Sequence, residues 1–303
     1  MAPEPWSTCC ATGVPTRSGK PLPHDSGHIC FEVTVVNYPD IDPVAISLGP
    51  FQVHWYGLMY VIGFVGAWWL GRLRAERVGL TRDDVGDLLF YAAIGVVVGG
   101  RLGYALFYGM GQWLADPLWV FRLWDGGMSF HGGLIGVLLA ALWFARRKRM
   151  AFFTLTDFFA PMVPIGLGAG RIGNFINREL PGRVTELPWG MPFPGMGPQP
   201  RHPTALYEAI LEGAVLFAVL WWVSALPQRR GLVSGLFLLL YGMFRFLVEL
   251  FRLPDSHIGY LAFDWFTMGM LLTLPMIAFG IVLIVWSRHQ PVDQVSRSDT
   301  RPE

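Results

Sequence analysis

The sequence predicts an all-α membrane protein, a polytopic bundle of seven transmembrane helices with the N-terminus periplasmic and the C-terminus cytoplasmic. Three observations carry this expectation. The 303 residues are 53% hydrophobic and only 15% charged, with mean hydropathy +0.42, so the apolar surplus must face something other than water. Seven apolar stretches are long enough to cross a hydrocarbon core of ~30 Å as helices. Basic residues gather at alternate ends of those stretches.

The stretches run from Val53 to Leu73, Val85 to Tyr108, Ser129 to Ala145, Leu155 to Ile176, Leu206 to Leu226, Leu232 to Phe251 and Phe263 to Trp286. The first exits into Arg72, Arg74, Arg77 and Arg82, the third into Arg146-Arg147-Lys148-Arg149, the fifth into Arg229-Arg230 and the seventh into Arg288. These ends share one side, which the excess of positive charge in cytoplasmic loops makes the cytoplasm. Residues 38–288 form the membrane domain. The largest connection, 177–204, lies outside and reads as an ordered lid, rich in Pro and Gly.

Residues 1–37 carry Pro, Gly, Ser and Thr without apolar periodicity and no signal-peptide core, so they read as a disordered extension. The segment beginning at Tyr38 looks like a natural start, which makes a misassigned upstream start codon a real alternative. Residues 289–303 read as a disordered cytoplasmic tail. The 13 Trp and 22 Phe suit side chains at lipid headgroup depth, and Trp113, Trp119 and Trp124 read as interface anchors. A net charge of +1 raises no field for nucleic acid. Cys9, Cys10 and Cys30 all precede the apolar body, and no Cys/His spacing calls for a metal or cofactor.

Charged residues within spans are costly and mark function by default. Arg101, His131, Arg171, Asn174, Glu208, Glu212, Arg245, Glu249 and Arg252 all fall in the outer half of the bilayer by this topology. Tyr241, Arg245, Glu249 and Arg252 make one helical stripe, Arg101, Tyr104 and Tyr108 another, and Arg171 and Asn174 are i, i+3 neighbours. Arg171 sits about 6 Å below its helix end at 1.5 Å per residue, a depth suited to a lipid phosphate. Glycines accompany the charges at 99, 100, 103, 132, 133, 166, 168, 170 and 173, where they let helices approach closely.

Bland readings compete at each position. Arg101, Glu208 and Arg252 read first as structural ion-pair members, and Glu249 as a partner of Arg245 or Arg252. His54, His202 and His257 read as interfacial, and Asp157 and Asp83-Asp84, after Thr154, Thr156 and Thr81, as helix N-caps. A channel or transporter would put polar residues in both halves of the bilayer, and the inner half is nearly free of them. An intramembrane protease would need a nucleophile–base pair, and Ser129 and His131, two apart on a helix, point apart. A lipid-binding scaffold would keep the arginines and tolerate loss of His131.

Four segments then resemble one family. They are His131-Gly-Gly-Leu, Gly170-Arg-Ile-Gly-Asn-Phe-Ile-Asn-Arg-Glu-Leu-Pro-Gly-Arg183, His202-Pro-Thr-Ala-Leu-Tyr-Glu208 and Tyr241-Gly-Met-Phe-Arg-Phe-Leu-Val-Glu-Leu-Phe-Arg252. With Tyr38-Pro-Asp-Ile-Asp-Pro and Trp55-Tyr56-Gly they are similar to prolipoprotein diacylglyceryl transferases. Arg178 and Pro181 depart from the family pattern. The resemblance implies that phosphatidylglycerol gives its diacylglyceryl group to the lipobox cysteine of a prolipoprotein signal peptide at the inner membrane, releasing glycerol-1-phosphate. It implies lipid-binding arginines at Arg171 and Arg245, and further functional positions at His131, Tyr56, Asn174, Glu179, Gly182 and Tyr241. Arginine supplies a fork matched to the departing phosphate. His131 is expected as the base for the thiol. Asn174, Tyr241 and Tyr56 are expected at the headgroup, and Glu179, Gly182, Arg101 and Glu249 in support.

Overall fold

The computed structural model describes residues 36–254 and 259–292. The expected extension over residues 1–37, apart from Val36 and Asn37, lies outside them, as do the three cysteines, His257 and residues 293–303 of the expected tail.

The described chain is mostly helical. A short antiparallel hairpin comes first, β1 (Val44–Leu48) and β2 (Phe51–His54), turning at Gly49 with φ +62°. It was not legible in the sequence, because nine residues beside a long apolar run give no separate periodic signal. β2 continues directly into α1 (Trp55–Arg74). Then follow α2 (Arg82–Phe107), the short α3 (Met110–Ala115), α4 (Phe130–Arg147), α5 (Phe152–Phe159) and α6 (Val163–Ile176). A second hairpin, β3 (Met191–Pro192) with β4 (Pro200–Arg201), lies in the long connection. The next helix comprises α7 (Thr204–Glu208), a π-helical segment (Ala209–Val215) and α8 (Leu216–Val223). α9 (Leu232–Glu249) and α10 (Met268–Ser287) complete the set.

Among the described residues four helices are long and apolar enough to cross a membrane: α2, the continuous Thr204–Val223 helix, α9 and α10. The pair α5 and α6, bent by 43° across a short break, makes a fifth if counted as one span. The break holds Pro161, and Pro164 opens α6; proline removes a backbone donor and clashes with the preceding turn. α1 and α4, 20 and 18 residues long, fall short of the same apolar measure, since glycine, tryptophan and terminal arginines lower their hydropathy. Large apolar side chains point outward, among them Phe107 at 78% exposed and Trp222 at 69%. A surface of that kind suits lipid contact.

Glycines set the helix crossings. A methyl on Gly63 would stand 2.9 Å from Gly166 Cα, joining α1 to α6, and one on Gly103 would stand 2.8 Å from Gly132 Cα, joining α2 to α4. One on Gly213 would stand 2.7 Å from Gly168 Cα, joining the π-helical segment to α6. α9 crosses α10 at Gly235 and Gly242, where added carbons would strike Ile284 and Ile277. Without water to drive association, close backbone approach supplies the dispersion contacts that hold such helices together.

These crossings are antiparallel, so the C-terminal ends of α2, α6 and α9 share one end of the bundle with the N-terminal ends of α1, α4, α7 and α10. The opposite end holds the largest apolar cluster, formed by Ala75, Leu80, Val85, Leu88, Phe144, Ala145, Leu155, Phe158 and Met162. There Thr81 is the N-cap of α2 and Asp84 completes a capping box with it, so of the expected pair Asp83-Asp84 only Asp84 belongs to the cap. Asp157 differs from expectation: it accepts N–H groups of Gly231 and Ser234 at 2.5 and 2.7 Å, and so caps α9 from across the bundle. Trp119 differs too. It is buried, only 5% exposed, because Arg101 lies over its ring at 4.4 Å and holds it against the bundle.

Candidate functional site

α6, α7 and α9 each bring a charged side chain to one point. Glu208, at the C-terminal end of α7, is fully buried. One of its carboxylate oxygens lies 2.8 Å from Arg171 Nε on α6. The other accepts from Arg245 Nη1 on α9, and Arg252 Nη1, just past α9, stands 3.8 Å from that same oxygen. Two guanidinium groups from separate helices therefore converge on one carboxylate, and a third lies beside it. Arg171 and Arg245 are 74 residues apart in the chain, and the small residues of α6, with Gly168 against Gly213, let the helices come this close.

Two further carboxylates complete the cluster. Glu249, one turn beyond Arg245 on α9, lies 3.0 Å from Arg245 Nη2 and accepts from Thr267 Oγ1 at 3.0 Å. Its expected pairing with Arg245 is therefore observed. Glu212, in the π-helical segment, is fully buried 3.8 Å from Arg171 Nη2, and neither of its oxygens accepts a hydrogen bond among the described residues. π-helical turns are rare and often occur at functional sites. Three arginines thus face three buried carboxylates, which would be costly if left unpaired.

The cluster's upper side is built by the Gly170–Arg183 signature. Arg171 Nη1 donates to Asn174 Oδ1 at 3.4 Å, Asn174 Nδ2 to Glu179 Oε2 at 2.5 Å, and Asn177 Nδ2 to Glu179 Oε1 at 3.2 Å. Glu179 thus orients the asparagine that faces Arg171. Tyr56, at the start of α1, packs over Gly173 so closely that an added carbon there would meet its ring at 2.9 Å; its hydroxyl lies 3.2 Å from that of Tyr60. Tyr241 stands one helical turn before Arg245 and stacks on Phe237. Of the expected headgroup residues, Asn174 is bonded directly to Arg171, while Tyr56 and Tyr241 flank the cluster.

The connection 177–204 is tied down rather than free. Gly182 N donates to His202 O, Arg183 N to Phe251 O, His202 N to Arg183 O and Leu253 N to Pro181 O. A side chain at Gly182 would stand 2.6 Å from His202 Cβ, so only glycine lets these strands lie together. Arg178 and Leu180 take left-handed backbone, φ +60° and +59°. Arg178, a departure from the family pattern, bonds Asp40 at 2.5 Å, tying the entry segment to this loop. Beside it Tyr38 donates to Phe175 O; burial pushes its phenol up to about 12, against the pull of Arg178. His202 is buried, bonds the Tyr207 hydroxyl at 3.1 Å, and is held below the usual histidine pKa by burial and by Arg183.

Two expected residues stand apart from the cluster. His131 opens α4 at the same end of the bundle, is exposed, and has no hydrogen bond or ion pair among the described residues; its ring meets Phe130 edge to face. Arg101 is 2% exposed and donates to the carbonyls of Trp119, Val120, Arg122, Gly126 and Gly127. The ion-pair expectation for Arg101 is thus corrected: it pins the loop before α4, because five backbone acceptors replace a carboxylate there. Glu212 as a cluster member was visible only as an in-span charge, since its convergence depends on the π-helical turn.

The family model for prolipoprotein diacylglyceryl transferase matches residues 43–286. The chain belongs to this family. A protein of Chromohalobacter salexigens named phosphatidylglycerol–prolipoprotein diacylglyceryl transferase is 70% identical over 259 residues, covering 86% of this chain and 97% of the relative. A protein of the same name from Methylococcus capsulatus is 60% identical over 82% of this chain and 97% of its own length. Another from Pseudomonas paraeruginosa is 53% identical over 86% of this chain and 98% of its own. The chain is accordingly a membrane transferase of lipoprotein biosynthesis.

Proposed function

We propose that this chain transfers the diacylglyceryl group of phosphatidylglycerol to the thiol of the lipobox cysteine in a prolipoprotein signal peptide, the first step of lipoprotein maturation. The sulfur forms a thioether to the glyceryl carbon, the bond from that carbon to the phosphate oxygen breaks, and glycerol-1-phosphate leaves with its negative charge. The observation that carries this reading is the convergence of Arg171 and Arg245 on Glu208. A site that already gathers guanidinium groups around an anion is preorganised for a phosphate whose charge grows as the bond breaks. Glu208 is the resident counterion that the phosphate would share or replace. Asn174, Tyr56 and Tyr241 border the space around Arg171 and Arg245 and would orient the headgroup.

The thiol needs a base, and His131 is the candidate: it lies at the cluster's end of the bundle and has no competing polar partner among the described residues. Seven passes remain our reading of the topology, with α5 and α6 as one broken span and α1 and α4 as the less apolar ones. The N-terminus is then periplasmic, the C-terminus cytoplasmic, the cluster near the outer face of the inner membrane, residues 38–288 the catalytic domain and 177–204 a periplasmic lid. The basic ends at Arg72 to Arg82, Arg146 to Arg149, Arg229-Arg230 and Arg288 support this orientation.

The test is purified protein with phosphatidylglycerol and a lipobox peptide, followed by detection of glycerol-1-phosphate. Arg171→Ala and Arg245→Ala abolish release while each protein still melts cooperatively, and turnover retained in either removes that residue from its role. His131→Gln loses transfer and keeps lipid binding; full activity in this variant assigns proton removal elsewhere. Phosphatidylethanolamine, lacking net negative charge, is a poor donor.

A further inference from the structure

A second concentration of arginine lies at the opposite end of the bundle, around a cavity of ≈ 400 Å3. Arg74 closes α1, Arg77 follows it, Arg149 lies between α4 and α5, and Arg230 precedes α9; all four line the cavity. Arg74 is 9% exposed. It donates to Ser224 Oγ at 2.6 Å and Trp221 O at 3.1 Å, and lies 3.2 Å over the Trp221 ring. Those partners are neutral, so its charge has no counterion among the described residues. Arg77 and Arg149 also lack a carboxylate within ion-pair distance there. Asp157 is the one acidic residue among the described residues that line the cavity; it accepts from Gly231 N, Ser234 N and Ser234 Oγ, and even a full pairing of this single carboxylate with Arg230 leaves Arg74, Arg77 and Arg149 in excess.

A cavity with this excess of guanidinium takes an anion, and arginine from several segments favours the several oxygens of a phosphate. The remaining wall mixes Thr154, Ser224 and Gln228 with an apolar side of Val78, Met150, Phe158, Leu226 and Val233, of which Leu226 is 52% exposed. A phosphate carrying acyl chains satisfies both parts of such a wall. We propose that this cavity binds the phosphate of an anionic phospholipid, with the acyl chains leaving along that apolar rim. Assignment to the leaflet opposite the Arg171–Arg245 cluster rests on the bundle crossing a membrane, whereas binding itself does not rest on the transfer reaction.

The test uses the full chain in detergent, titrated separately with phosphatidic acid, phosphatidylcholine and inorganic phosphate, with bound molecules counted by native mass spectrometry. It compares the wild type with Arg77→Gln/Arg149→Gly. Arg77 and Arg149 are exposed, and glycine suits the φ of +54° at position 149, so the variant folds and keeps basal transfer. The expected result is one tightly held phosphatidic acid fewer in the variant and at least about tenfold weaker binding, with phosphatidylcholine unaffected. A charge reversal, Arg77→Glu, weakens phosphatidic acid further and guards against compensation by the remaining arginines. Equal phosphatidic acid binding in all three proteins overturns the proposal. Inorganic phosphate bound as tightly as phosphatidic acid also overturns it, because the site would then serve a soluble anion.

Discussion

Replacing Glu208 by Gln tests the central geometry most directly. The substitution keeps the shape and removes one negative charge from between Arg171 and Arg245. At the 2.8 Å observed for Arg171 Nε, the attraction in an effective dielectric of about 20 is about 6 kcal/mol before desolvation. Removing one partner of a buried pair costs a net of about 3–5 kcal/mol, since the other charge stays buried. Here two guanidinium groups lose their shared counterion, although Glu212 and Glu249 retain part of the balance. With about 2–4 °C per kcal/mol for domains of 150–250 residues, the lipid-free protein should melt roughly 6–20 °C lower. Phosphatidylglycerol should recover most of that loss by supplying an anion between the arginines, and phosphatidylcholine should recover little. The assay is thermal unfolding in detergent with each lipid added in turn. Melting within about 2 °C of the wild type without lipid, or equal rescue by both lipids, would refute the claim that the arginines share one anion site.

Other consequences follow from particular contacts. Arg101→Lys leaves a single ammonium where five carbonyls now accept; it should cost about 2–3 kcal/mol and speed proteolysis between Asp116 and Gly127. Gly136→Leu should separate α2 from α4, since even a methyl at 136 would stand 3.1 Å from Gly99 Cα, and the variant should accumulate poorly in membranes. His202 is neutral in the fold because its folded pKa lies below the unfolded value of about 6.5. A lowered histidine pKa means that the unfolded loop binds the proton more readily. The loop is therefore fully stable above about pH 6.5 and loses stability as pH falls below it. Hydrogen exchange at Gly182, Arg183 and Thr185, corrected for intrinsic rates, should show protection falling over that range in the wild type and much less in His202→Gln.

Much of the architecture was visible in one dimension. Apolar runs long enough to span a bilayer show directly, because each helix satisfies its own backbone locally. The starts and ends of α2, α4 and α9 fall within a few residues of the expected stretches. The hairpin over Val44–His54 and the π-helical turn at Ala209–Val215 were not visible, since each depends on neighbouring elements more than on local periodicity, while the break at Pro161 and Pro164 has a local cause that the continuous apolar run from Leu155 to Ile176 masked.

The site divides along the same line. The sequence by itself determined which charges lie near one end of the bundle, because depth follows from position along a helix of known rise. It also determined the stripe that carries Tyr241, Arg245 and Glu249. Only the tertiary structure decided that Arg171 and Arg245 meet on Glu208, that Glu212 joins them, and that Arg101 serves a loop. The physical reason is rotation: the azimuth of each helix about its axis is set by glycine contacts between helices, such as Gly168 against Gly213, and no single helix records it.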